Sequence, residues 1–170
     1  MARTSGVIER GVVTTLLLAA ALASRAGAQV TTLDAGVKPE VRIDVITARS
    51  STVLQAGGGV EIPAGYYARV GIIGAMGAPV SSGERSVSGR LDVIGRFLFD
   101  PFREHAWGIS AGAGVSVRAA QGDRVRPYLA TVLDVEGPRN DVGFAPAFQV
   151  GLGGGLRIGA ALRWGGRVSR

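Results

Sequence analysis

Residues 105–119 read "HAWGISAGAGVSVRA". Trp107, Ile109, Ala111, Ala113, Val115, Val117 and Ala119 alternate with Ala106, Gly108, Ser110, Gly112, Gly114, Ser116 and Arg118. A spacing of two belongs to a β-strand, whose side chains point to opposite faces in turn. One face is apolar throughout; the other is tiny and then charged. The class of the protein depends on which face meets solvent, and on whether that solvent is water or hydrocarbon.

The same period runs through most of the chain. In 41–45, Val41, Ile43 and Val45 oppose Arg42 and Asp44; in 52–62, Leu54, Ala56, Gly58, Val60 and Ile62 oppose Gln55, Gly57, Gly59 and Glu61. Stretch 66–76 sets Tyr66, Ala68, Val70, Ile72 and Met76 against Tyr67, Arg69 and Gly71. Stretch 86–99 sets Val87, Leu91, Val93, Phe97 and Phe99 against Ser88, Arg90, Asp92 and Arg96, with Ile94 and Leu98 also on the charged face. In 125–136, Leu129, Thr131, Leu133 and Val135 oppose Arg126, Tyr128, Asp134 and Glu136. Stretch 147–158 alternates Phe148, Val150, Leu152, Leu156 and Ile158 with Gln149, Gly151, Gly153 and Arg157. A reversal is expected around Gly159, and 161–168 closes the pattern with Leu162, Trp164 and Val168 against Arg163 and Arg167. Turn signals separate these stretches, among them Pro-Ala-Gly at 63–65 and Gln-Gly-Asp-Arg at 121–124.

These observations predict an all-β chain, a single antiparallel up-and-down β-barrel of about eight strands over 41–170. An even number of antiparallel strands closes without leaving an edge. Ahead of the barrel, Arg3 and Arg10 flank the start, 12–23 is apolar, and Ala-Gly-Ala stands at 26–28. This is the pattern of a cleavable signal peptide over 1–28, too short in its apolar part to span a bilayer as a helix. Residues 29–40 read as a flexible lead-in.

The charge is +6 over the 170 residues, carried by arginines scattered singly through apolar stretches. No basic run marks a nucleic-acid surface, so no nucleic-acid partner is expected. With no cysteine there is no disulfide framework, thiolate metal site or cysteine nucleophile. An exported domain of this composition depends on its core or on closure of its sheet.

Alternation alone fits a soluble barrel with an apolar core and a membrane barrel with an apolar exterior. The polar face decides between them here. It carries glycine and serine with charges of both signs, where a wetted strand surface favours Thr, Lys and Glu. Glycine on an exposed face weakens a strand; inside a narrow barrel it leaves room for neighbouring arginines. The charged set is Arg42, Asp44, Glu61, Arg69, Arg90, Asp92, Arg96, Arg118, Arg126, Asp134, Glu136, Arg157, Arg163 and Arg167. Read as an interior network, it pairs guanidinium forks with carboxylates, because an isolated buried charge costs several kcal/mol. Its excess of arginine over acid has no counterpart in the sequence. Tyr66, Phe97, Phe99, Trp107, Phe148 and Trp164 are the candidate membrane-interface aromatics.

The stretches "RPYLATVLDVEG" (126–137), "FQVGLGGGLRIGAALRW" (148–164) and "ISAGAGVSV" (109–117) resemble bacterial outer-membrane β-barrel proteins of the small OmpA/OmpX-like type. The resemblance implies a location in the cell outer membrane, with outer-membrane lipid and the barrel-assembly machinery as partners. It implies no defined reaction. Such proteins commonly end on an aromatic residue, whereas this chain ends "RVSR", with Trp164 six residues back.

Candidate chemistry is sparse. His105 is the only histidine, adjacent to Glu104 and five residues before Ser110, a separation of roughly 17 Å along an extended strand. That is too far for a base and its nucleophile. Asp134 and Glu136 share a strand face beside arginines, which favours ion pairing over metal binding. The glycine stretches at 56–62 and 151–159 lack phosphate-loop spacing. The expectation is therefore a non-enzymatic monomer with no catalytic, cofactor or metal site. Its role would be structural, in surface interaction or in restricted permeability. The alternative is a soluble periplasmic lipocalin-like barrel with the aliphatic face turned inward around an apolar ligand.

Overall fold

A computed structural model describes residues 36–49, 51–80, 86–101, 105–122 and 124–165. The expected signal peptide (1–28), residues 29–35 of the lead-in, Glu104 and Arg167 lie outside the described residues. Eight strands follow in chain order: β1 (Lys38–Ala48), β2 (Ser51–Pro63), β3 (Ala68–Pro79), β4 (Ser88–Leu98), β5 (Gly108–Ala120), β6 (Arg126–Glu136), β7 (Phe144–Leu152) and β8 (Leu156–Trp164). Each pairs antiparallel with its chain neighbours, and β8 pairs with β1, so the sheet closes as an up-and-down barrel.

Two expectations are corrected. The first strand begins at Lys38, inside the stretch expected to be a lead-in, because Lys38, Glu40, Arg42 and Asp44 form one continuous inward alternation. Pro39 occupies an outward position and does not stop it. The last reversal lies at 153–155, not at Gly159. Gly154 and Gly155 adopt φ of +71° and +155° there, a region that L side chains rarely enter. Gly159 sits inside β8, where a Cβ would stand 2.0 Å from Asp44 Oδ1. Its glycine makes room for a side chain rather than for a turn.

Stepping round the wall from Lys38 through Glu61, Gly71, Ile94, Gly114 and Ala130, and across the β7–β8 turn, arrives at Ala48 on β1. That ten-residue stagger over eight strands sets a strand tilt of about 40° and an interior that side chains fill. The outer ends of β1 and β8 lie together, at what is called here the terminal end. The described residues of connections 64–67, 99–101, 105–107 and 137–143 lie there too. The far end carries Arg49, Val80, 86–87, 121–122, 124–125 and 153–155. The β6–β7 ladder is the shortest, joining only Thr131–Glu136 to Ala147–Leu152. The far half of β6 therefore rises beyond the β7–β8 hairpin.

The two faces separate cleanly. Val41, Ile43, Val45, Leu54, Met76, Val93, Val115, Leu129, Leu133, Val150, Leu152 and Ile158 are exposed on the outer wall. Inside lie the charges, together with an apolar patch at mid-height formed by Ile73, Ile94 and Val132. The glycines of β5 serve this patch. Gly112 and Gly114 lie between Ile94 on β4 and Val132 on β6, and a Cβ on Gly114 would meet the Val93 carbonyl at 2.0 Å. These glycines admit isoleucine and close backbone approach, and Gly112 also makes room for Arg96, whose Cγ would lie 3.0 Å from a Cβ there; the expected room for arginine holds at Gly112 and at Gly159.

Candidate functional site

The buried charged residues converge on the barrel axis from β1, β2, β4, β6 and β8; β3 and β5 add the half-buried Arg69 and Arg118, and β5 and β7 add the buried Ser110, Ser116 and Gln149. Six cations are buried: Lys38, Arg42, Arg90, Arg96, Arg157 and Arg163. Six carboxylates match them: Glu40, Asp44, Glu61, Asp92, Asp134 and Glu136. This balance answers the electrostatic problem of a charged interior, since each buried charge needs a partner in hydrogen-bonding range. Lys38 and Glu40 add one charge of each sign to this balance, and both fall in the stretch first read as a lead-in.

Arg163 is the hub at the terminal end. Its Nε donates to Glu40 Oε2 at 2.9 Å, Nη1 and Nη2 donate to the two oxygens of Asp134 at 2.7 Å each, and Nη1 reaches Glu136 Oε2 at 3.3 Å. The fork on Asp134 is the bidentate geometry that suits guanidinium to carboxylate. Arg96 pairs with Glu61, which also accepts from Arg69 at 3.2 Å. A cavity of about 20 Å³ among these groups has room for about one water.

Arg42 joins the two halves of the lumen. It donates to Glu40 at 3.0 Å, to both oxygens of Asp44 at 2.8 and 2.7 Å, and to Gln149 Oε1 at 2.6 Å. Gln149 passes the chain on to Asp134 at 3.3 Å. Above it, Arg90 pairs with Asp44 across the barrel, and its Nε lies 3.2 Å from Asp92 Oδ2. Arg157 donates to the same Asp92 oxygen at 2.6 Å.

The arginines in excess of the balanced core stand at the two mouths. Arg69 is part-exposed at the terminal end, and Arg139 of connection 137–143 lies 3.6 Å from Glu136. Arg118 is half-buried at the far end and Arg126 is exposed there. Arg118 donates to the Gly154 carbonyl at 3.2 Å and lies 5.6 Å from the centre of the Tyr128 ring. Of the charged residues singled out from the sequence, ten are buried in the lumen, Arg69, Arg118 and Arg126 line its mouths, and Arg167 lies outside the described residues. Sequence reasoning missed Lys38 and Glu40, and it placed Gln55 and Gln149 on the polar face without joining them to the network. The unbroken alternation from Lys38 to Asp44 was the available signal for the first two.

The aromatics gather at one end. Tyr66, Phe97, Phe99 and Trp107 are exposed on and beside the terminal-end wall, Phe148 is exposed midway along β7, and Trp164 ends β8. Tyr67 stacks on Phe97 at 5.9 Å, Phe97 meets Phe99 edge-on at 5.8 Å, and Phe144 leans on Trp164 at 5.8 Å. The outer far end instead presents Thr47, Thr52, Val80, Val87, Val125 and Pro127. The aromatics thus form one belt.

His105 is exposed in connection 99–107, where its Nδ1 lies 3.4 Å from Asp100 Oδ2. Ser110 faces the lumen opposite Asp134. Among the described residues, no three His, Asp or Glu side chains stand in a metal-holding group. Comparison with protein-family models and with curated proteins returns no match for the chain.

Proposed function

We propose that this protein is an integral barrel of the bacterial outer membrane, of the small OmpA/OmpX-like kind. Its role would be structural, in surface interaction or in restricted permeability. One observation carries the reading: apart from inward ones such as Ile46, Ile73, Ile94 and Val132, the aliphatic side chains of the strands form the outer wall, most of them exposed, while twelve charged side chains are buried inside. In water such a wall is an apolar surface far larger than soluble proteins tolerate; in hydrocarbon it is the favourable exterior. Strands of 9–13 residues tilted by about 40° rise through roughly 23–33 Å, enough to cross an apolar band of about 25 Å. The terminal-end aromatic belt supplies rings of the kind that sit at headgroup level.

The filled lumen supports a plug rather than a wide pore, and the barrel-assembly machinery would be the route of insertion. A soluble lipocalin-like barrel needs the aliphatic face inward around its ligand, and the lumen here holds ion pairs. The test is fractionation after lysis with a carbonate wash. The protein is expected in the outer-membrane pellet, released only by detergent, and to migrate differently in gels with and without boiling. Recovery in the aqueous periplasmic fraction would refute the reading.

A further inference from the structure

The two halves of the lumen are not equivalent. Around the terminal end, Lys38, Arg69, Arg96 and Arg163 stand against Glu40, Glu61, Asp134 and Glu136. In the far half, Arg90, Arg118 and Arg157 share Asp44 and Asp92, and Asp44 is already held by the fork of Arg42. The strand register sharpens this excess. Arg90 on β4 is paired directly with Arg118 on β5, and both face inward. Like charges directly opposite across neighbouring strands repel, so this pair is unfavourable unless an anion lies against it.

The hydrogen-bonding inventory agrees. Arg90 and Arg157 have side chains 0% and 4% exposed. Yet Arg90 Nη1 and Arg157 Nε and Nη2 have no acceptor among the described residues. Arg118 Nε and the buried hydroxyl of Ser116, one step below Arg118 on β5, also lack partners. Asp92 Oδ1, across from Ser116, and Gln55 Oε1, on β2 opposite Asp44, are acceptors in this half without donors. Two acceptors cannot serve this set of five donor atoms, and a buried donor left unsatisfied is costly.

We propose that the far half of the lumen binds a small tetrahedral oxyanion such as inorganic phosphate, held by Arg90, Arg118 and Arg157 with the Ser116 hydroxyl. Guanidinium forks and a hydroxyl match the several acceptor oxygens of such an ion. The occupant comes from the aqueous mouth, because every donor faces the lumen. The short β6–β7 ladder lowers the wall on that side, and Tyr128 and Arg118 lie across the opening. The apolar patch of Ile73, Ile94 and Val132 lies at mid-height, between this site and the charged groups of the terminal end. The inference rests on the closed barrel and its inward arginines, and it stands independently of the membrane assignment.

The experiment follows thermal unfolding of the full chain, refolded in detergent, during titration with inorganic phosphate against chloride at matched ionic strength. A saturable rise in unfolding temperature with phosphate is expected, as for any ligand of the folded state. Arg118→Gln should weaken the apparent affinity about tenfold or more, the loss of one charge-assisted contact. Arg69→Gln at the other mouth should leave it unchanged. Should Arg118→Gln fail to close into a barrel, Arg118→Lys keeps the charge while losing the fork, and is expected to weaken binding in the same direction. No saturable effect of phosphate, or an equal effect in wild type and in both Arg118 variants, overturns the proposal. So does equal loss in Arg69→Gln.

Discussion

An arginine series along the outer face of β1 measures what surrounds the barrel. Ile43 lies at the middle of β1 and is 58% exposed; Val45 and Thr47 follow on the same face towards the far end. At a tilt of about 40°, each two-residue step moves about 5 Å along the barrel axis. Thr47 is therefore about 10 Å from the centre, close to the edge of an apolar band about 25 Å thick. Arginine at the midplane of a barrel's lipid face costs about 2–4 kcal/mol, falling to about 0–1 kcal/mol near the interface. Ile43→Arg is thus expected to lower the folding equilibrium constant by roughly 30- to 1,000-fold, Val45→Arg by less, and Thr47→Arg by a factor of about five or less. The assay is reversible denaturant unfolding in phospholipid vesicles, followed by the fluorescence of Trp107 and Trp164. A water-bathed wall predicts a flat series, since surface substitutions stay within about 0.5 kcal/mol. A flat series would refute the assignment of the aliphatic face to lipid.

Two further outcomes probe the interior. Arg163→Met should destabilise the barrel by about 3–5 kcal/mol, the cost of stripping a buried charge of its partner, because Glu40 and Asp134 lose donors at 2.9 and 2.7 Å; equilibrium unfolding measures it, and a loss below about 1 kcal/mol contradicts the hub role. Gly159→Ala places a Cβ against Asp44 Oδ1, whereas Gly89→Ala meets nothing within 4 Å. The first should cost about 1–3 kcal/mol as overpacking does and the second should stay within about 0.5 kcal/mol, compared by the midpoint of the heat-dependent gel shift.

Alternation made the barrel legible because a closed sheet with one greasy and one charged face writes both faces into every strand. The eight-strand count and the inward set from Arg42 to Arg163 could be read without coordinates. What failed were places where one residue type serves two ends. Glycine marks the turn at 153–155 through backbone freedom and the interior at Gly159 through its missing side chain, and sequence alone does not separate these uses. Pro39 concealed the start of β1, although it occupies an outward position there. The inward Ile73 and Ile94 break the charged pattern; their role shows only when the facing glycines are placed beside them. The neutrality of the core was hidden because the surplus arginines at the mouths are indistinguishable in sequence from those in the centre.

The seam between β1 and β8 brings together the two ends of the sequence, with Glu40 registered opposite Arg163 and joined to it side chain to side chain. The contact becomes possible only once the last strand is in place. A nascent barrel lacking its eighth strand would hold six buried carboxylates against four buried cations, with Arg157 and Arg163 still missing. Completion is therefore the event that neutralises the inside, so assembly is expected to be all-or-none, with the last strand acting as the latch.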